Sequence, residues 1–391
     1  MPAVLALIAF ALIVNELRPV GAVPATQTIG ASTTVPGDIS PVPWPASGQA
    51  AIGGRENGVL ASSPNARPAP IASVAKVMTA LAVLADKPLK EDEDGPAITI
   101  GPEDVTEYQQ EYDNKESVVA VQAGEQLTEL QALQGMLIPS GNNIAAVLAR
   151  WASGSVDAHV ARMNAMAKRM GMGRTTFADV SGLSEKTVSV PADLVRMGQA
   201  ALDQPALAKI VSQAQVTLPV AGVKYNVNYV LGQEGIFGIK TGNTTAGGAI
   251  YLFAGSEQLA SGAKATVVGA IQGLSTLDGA FNAAKALLRA ARTSLRSLHV
   301  ASKDQTVGRY TLPWGGGTDV VAAEDLDILV LPGMVVRQSL RATPVSPPTS
   351  PRTPAGSLRV TAGDAVFDLA VVNEDQLYGP GRLARLTRLT W

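Results

Sequence analysis

The chain has 391 residues, enough for two or three domains each with its own core. Its 31 basic and 33 acidic residues leave a net charge of −2, so nothing in the bulk electrostatics draws it to nucleic acid, and no nucleic-acid partner is expected. The absence of cysteine excludes disulfides, thiolate catalysis and zinc–thiolate sites, and the two histidines, His159 and His299, are too few for a multi-histidine metal site. Both histidines sit in patterns that suit structural roles; neither metal nor cofactor is expected, and a serine enzyme built from this composition would take its base from a lysine.

The first element is an apolar run, Ala3 to Val14, too short for a comfortable membrane span but suited to a secretory signal or an anchor. Some thirty residues rich in Pro, Thr, Ser and Gly follow, ending Pro41-Val42-Pro43-Trp44-Pro45. Residues 1–25 are therefore expected to be a signal peptide or membrane anchor, with Val23-Pro24-Ala25 as a candidate cleavage site, and 26–46 a flexible spacer. Export is expected from this, with cleavage of the segment and membrane association through it both open.

Compact structure begins near residue 47. Gln49–Gly53 and Val59–Ala61 flank Asn57-Gly58, a pair suited to the positive φ angles of a tight hairpin turn. Pro68-Ala69-Pro70 leads into a helix running to Asp86, with Ser73 at its start and Lys76 one turn further on, so that the two lie side by side. Unpaired N–H groups at a helix start favour developing negative charge there. Residues 87–127 are mixed, with short β-like runs at Ala97–Ile100 and Ser117–Val121. Helical spacing returns at Leu127, Leu130, Leu133, Met136 and Leu137, stops at the loop Pro139-Ser140-Gly141-Asn142-Asn143, and resumes at Ile144, then at 156–170 and 191–202. From about 215 the period becomes two, through Gln215–Leu218, Val223–Val227, Gly238–Gly242, Ala249–Phe253 and Ala265–Ile271, before a strong helix from Leu277 to about Leu298.

The expected fold of residues 47–298 is thus α/β (α+β): an antiparallel five-stranded sheet flanked by helices, with an inserted all-α subdomain. Beyond 300 the helices stop, and Thr306–Leu312, Ile328–Leu331 and Phe367–Val372 read as strands of a small all-β domain, 299–391, with an accessory role.

Three short motifs stand in order: Ser73-x-x-Lys76, Ser140-Gly141-Asn142 and Lys240-Thr241-Gly242. Each alone is weak, since Ser261-Gly262-Ala263-Lys264 and Ser63-Pro64-Asn65 match two of them by chance. On a helix start, an inter-helix loop and a strand, the trio resembles that of the penicillin-interacting serine DD-peptidases and serine β-lactamases. The stretches Ala72–Ala80, Leu137–Asn143, Thr176–Leu183 and Gly238–Gly242 are similar to the low-molecular-weight D-alanyl-D-alanine carboxypeptidases, over roughly residues 47–295. The β-rich part, ending Gly381–Arg388, resembles their C-terminal domain loosely.

The resemblance implies a β-lactamase/transpeptidase-like fold and removal of the terminal D-Ala from peptidoglycan stem peptides ending in D-Ala-D-Ala, outside the cytoplasm. Ser73 would be the nucleophile and Lys76 its base, the amine made neutral by desolvation and by the Lys240 charge. Ser140 would relay the proton to the departing amine, while Asn142 would bind the substrate amide or hold Lys76. Lys240 and Thr241 would take the terminal carboxylate, Gly242 would admit the substrate backbone, and the backbone N–H groups of Ser73 and Asn243 would form the oxyanion hole. β-Lactam antibiotics would acylate Ser73 as mimics of D-Ala-D-Ala. Three rival readings stay open: a DD-endopeptidase; a class A-type β-lactamase, for whose deacylating Glu the chain offers Asp179 and Glu185; and a non-catalytic peptidoglycan-binding or scaffolding protein.

Overall fold

The structure, a computed structural model, describes residues 2–37, 41–259, 262 and 264–387. The chain parts into two compact units, Ser40–Arg296, and Met1–Ile39 together with Ser297–Trp391.

The larger unit is built on an antiparallel sheet whose order is Ile236–Thr244, Gly248–Gln258, Lys264–Leu274, Gln49–Gly54, Val59–Ser62. The early hairpin and the three late strands thus join in one five-stranded sheet, as expected. Its central strands are apolar without interruption because both faces are covered. Tyr251 and Phe253 face the helix Leu277–Ser294, where Tyr251 meets Phe281 edge to face at 4.8 Å. Leu252 and Ala254, on the opposite face by the alternation of a strand, join the core under Pro191–Leu202. Each large side chain so buried contributes about 1.5–3 kcal/mol.

Between hairpin and late strands lies the helical insert. Its centre is the helix Ala75–Asp86, buried from Ala75 to Leu84 on every side, which explains why its sequence is apolar all round. Helices Glu129–Leu137, Asn142–Ser153, Val156–Arg169 and Pro191–Leu202 pack around it. The mixed tract 87–127 contains a further helix, Pro102–Asp113, opened by Pro at its first turn and by Asp104 capping the Gly101 N–H. Ser117–Val121, read as a strand, pairs with no strand. Its backbone bonds are taken by Asn142 and Asn143: Asn142 N donates to Ser117 O at 2.7 Å, and the Asn143 amide both donates to and accepts from Val119. A short helix, Pro205–Val211, is also additional, and the final helix ends at Ser294 rather than near 298, because Arg296–Ala301 is already a strand.

In the smaller unit seven described strands form one sheet, whose two edges come from the N-terminal tract, while Arg296–Ala301 and Leu326–Val330 pair as a separate two-stranded sheet. Ala25–Gln27 pairs with Thr306–Thr311 at one edge, and Ser32–Thr34 pairs with Val335–Ala342 at the other. The expected flexible spacer 26–46 is therefore corrected at 26–27 and 32–35: Val35 is buried in this core, as is Val23 just before the spacer, and short strands form because partner edges are supplied from far along the chain. Asp38 to Ser40 lie outside the described residues, as do Ser261 and Ala263 of the chance motif and Arg388 of the C-terminal match. Two helices complete the unit, Pro2–Leu17 and Arg382–Thr387, the second at odds with an all-β expectation. No described helix is long and apolar enough to cross a membrane.

Candidate active site

Ser73 is delivered by a tight turn. Ala69–Pro70 pairs with Val188–Ser189, Ile71 N donates to Thr187 O at 3.1 Å, and one 3-10 turn, Ala72–Val74, then carries Ser73 into the central helix. Ala72 takes a φ of 46°, rare for a residue with a side chain, and its carbonyl points at Gly182. A Cβ on Gly182 would stand 1.7 Å from that oxygen, and Gly182 itself has φ +82°, so only glycine lets the loop 179–183 close on the serine turn. From the other side comes the strand Ile236–Thr244: a Cβ on Gly242 would lie 3.1 Å from Ser73 N. Any side chain at Gly242 would therefore crowd the serine turn.

Lys76 projects from the first turn of the helix and is fully buried. Its Nζ lies 2.8 Å from Ser73 Oγ, 2.6 Å from Asn142 Oδ1 and 3.0 Å from Ser181 O. Burial pulls its pKa from 10.5 down to about 7, with Asp179, Glu111 and Glu116 opposing the shift. A large fraction of this amine is therefore neutral at neutral pH, which a base for a serine hydroxyl requires. Lys240 is also buried, at 2% exposed, and its Nζ donates to Thr241 O at 3.0 Å. Burial, and then the Lys76 charge, hold its pKa well below the ordinary lysine range.

Ser140 sits at the loop between helices with φ +70°, 4% exposed, and its Oγ is buried without a hydrogen-bond partner. Ser73, Asn142 and Asn243 line an open cleft of about 330 Å³, together with residues 114–117, 181–183 and 244–245. The fold thus joins Ser73, Lys76 and Asn142 by hydrogen bonds, sets Gly242 on the serine turn and Asn243 in the cleft wall, and buries Ser140, Lys240 and Thr241. His159 stands apart from this group. Buried in the core, it is held by Ser153 Oγ at 2.9 Å and Thr79 O at 3.3 Å, and burial lowers its pKa. His299 lies in the other unit, between Asp327 and Ser302. Among the described residues no group of three or more His, Cys, Asp or Glu could hold a metal ion.

Several residues around the site were not singled out as part of it from sequence. Glu116 accepts from Asn142 Nδ2 at 3.0 Å. Glu111 is pushed up to about 7, mainly by burial and then by Glu107 and Glu116. Asp179, weighed above only as a rival deacylating group, instead folds its loop: it accepts from Ser181 N, Ser181 Oγ, Leu183 N and Thr187 Oγ1, which turns the Ser181 carbonyl to Lys76. A carboxylate so fully engaged is poorly placed to activate water. The only sequence signal near Glu111 is the sparse apolar spacing Val105, Tyr108, Tyr112, too weak within a largely polar stretch to mark the helix that carries it.

The family model of the peptidase S11 D-alanyl-D-alanine carboxypeptidases matches residues 45–271. A D-alanyl-D-alanine endopeptidase of Pseudomonas aeruginosa is 31% identical over 160 residues, 41% of this chain and 48% of that protein. The D-alanyl-D-alanine carboxypeptidase DacC of Escherichia coli is 32% identical over 146 residues, 36% of each. The chain therefore matches less than half the length of these two relatives. Penicillin binding protein 5 of Haemophilus influenzae superposes with a TM-score of 0.69 at 18% identity, covering 88% of this chain and all of that one. The Streptomyces K15 DD-transpeptidase gives 0.56 at 23% identity over 64% of this chain and 98% of that one. These two likenesses establish the fold, and with the family match over more than half of its length the chain belongs to the peptidase S11 family, that of the D-alanyl-D-alanine carboxypeptidases.

Proposed function

We propose that the protein is a serine-type D-alanyl-D-alanine carboxypeptidase acting on peptidoglycan stem peptides through an acyl-enzyme on Ser73. The observation that carries it is the Lys76 amine, dry, poised near pKa 7 and 2.8 Å from the serine oxygen. In the first step the Ser73 hydroxyl proton passes to Lys76 Nζ as Oγ bonds to the penultimate carbonyl carbon. The tetrahedral oxygen is met by the backbone N–H groups of Ser73 and Asn243. As the C–N bond breaks, the proton moves from Lys76 through Ser140, whose buried Oγ has no other partner, to the leaving D-Ala amine. Lys240 and Thr241 hold the terminal carboxylate. Water then hydrolyses the ester with Lys76 again taking the proton.

Penicillins enter as mimics of the substrate and leave a long-lived ester. Because several relatives are named endopeptidases, cleavage of cross-linked peptides is a second reading on the same machinery. With a peptidoglycan substrate comes an extracytoplasmic location, and the exposed apolar residues Val4, Leu7, Phe10, Ile13 and Leu17 support attachment through the N-terminal segment. The test is to incubate wild type and Ser73→Ala with a fluorescent penicillin and with a peptide ending in D-Ala-D-Ala. Wild type should label and release D-Ala and the variant should do neither; a wild type that does neither ends the proposal.

A further inference from the structure

Asn142 touches Lys76 and the cleft-lining Glu116, and its amide has two ends that differ by a single flip. As folded, Oδ1 accepts from Lys76 and Nδ2 donates to Glu116 Oε2 at 3.0 Å. Flipped, the amide would set N–H against N–H at the lysine whenever that amine is charged, and oxygen against oxygen at the carboxylate. The second clash arises because an ionised carboxylate only accepts. Glu116 is itself held: its N donates to Glu111 O at 2.9 Å, and its other carboxylate oxygen accepts from Asn114 Nδ2 at 3.5 Å. On its C-terminal side Ser117 and Val119 are tied to the backbone and side chain of residues 142 and 143. It lines the same cleft as Ser73.

We propose that Glu116 is a positioning residue for acyl transfer, its carboxylate locking the Asn142 amide so that the oxygen faces Lys76 and holds the amine on Ser73. This rests on the serine-peptidase function proposed above. A glutamine at 116 keeps the shape but can donate as well as accept, so the flipped amide becomes tolerable and the lysine loses its fixed acceptor. The groups that face Lys76 are Ser73, Asn142, the Ser181 carbonyl, Asp179, Glu111, Glu116 and Lys240, and of these only the charge at 116 changes in the variant.

The experiment measures the rate of acylation by a fluorescent penicillin against pH for wild type, Glu116→Gln and Glu116→Asp, with thermal melting of each. For Glu116→Gln the plateau should fall on the order of tenfold or more. Its acidic limb should move to lower pH, because a negative charge that favoured the ammonium form has gone. Glu116→Asp retains the charge on a shorter arm, so its limb should stay at the wild-type position while its plateau falls. A wild-type plateau in either variant overturns the inference while leaving the parent function intact. So does a limb of Glu116→Gln that moves up toward the ordinary lysine range, since that reports water entering a loosened pocket. If Glu116→Gln melts below the assay temperature, the Glu116→Asp plateau decides alone. Failure of wild type to label at all, by contrast, removes the parent proposal and this one together.

Discussion

In the larger unit two lysines, Lys76 and Lys240, lie with their amines out of water, and among the described residues neither has a carboxylate within ion-pair distance. In the smaller unit charged groups pair at the surface, Arg309 with Asp319, Arg352 with Asp304 and Arg359 with Asp368, and the described interior is Val, Leu, Ala, Ile and Tyr with the uncharged Thr318 and Asn373. Burying an unpaired ammonium is costly, and the ordinary relief is loss of the proton. One unit accepts that cost beside Ser73, while among its described residues the other avoids it. Desolvated charge beside a hydroxyl, rather than the number of polar residues, is what distinguishes a site from a scaffold here.

The contrast can be tested from its strongest point downward. Lys76→Met keeps the volume of the side chain and removes the base, and acylation should fall about 10²–10⁴-fold. In wild type the same rate should rise with pH through about 7, since the neutral amine is the form that accumulates as pH increases. A pH-independent rate between 5 and 9 would argue against Lys76 as base. Lys240→Ala should raise KM for the peptide by about 10–100-fold, the worth of a charged hydrogen bond of about 1.5–3 kcal/mol. Gly182→Ala forces the serine turn or the loop to shift at a position of φ +82° and should lower both melting temperature and acylation, at a cost of about 1–3 kcal/mol. Leu358→Ala, in the centre of the smaller unit's core, should cost that unit about 2–5 kcal/mol and leave acylation unchanged. Should acylation drop with it at temperatures where both units are folded, the division of labour drawn here is wrong.

Much of the larger unit was legible because its elements carry their own periodicity: the hairpin about Asn57-Gly58, the all-apolar central helix and the late meander. Ser73, Lys76, Asn142 and Lys240 were legible because three short motifs fell on a helix start, a loop and a strand. The supporting shell was not. Ser117–Val121 has the look of a strand, but its bonds go to asparagine side chains and backbone in the next helix, which no local pattern reveals. The Pro102–Asp113 helix was hidden by a largely polar sequence, and with it Glu111 and the loop that presents Glu116. Ala25–Gln27 and Ser32–Thr34 are too short to show a period, and their partners lie almost at the other end of the chain.

That last pairing has a consequence in time. Gln27 Oε1 accepts from Leu340 N at 2.8 Å across a separation of 313 residues, so the N-terminal strands belong to a sheet that is synthesised last. Contacts of such long range form slowly, and chains emerging from the ribosome fold their early domains first. Here the order is inverted for one segment. A nascent chain that has reached just beyond Arg296 carries every residue of the candidate site, while residues 23–35 still have no edge to join. The larger unit is thus synthesised in full before the first strands have an edge to join.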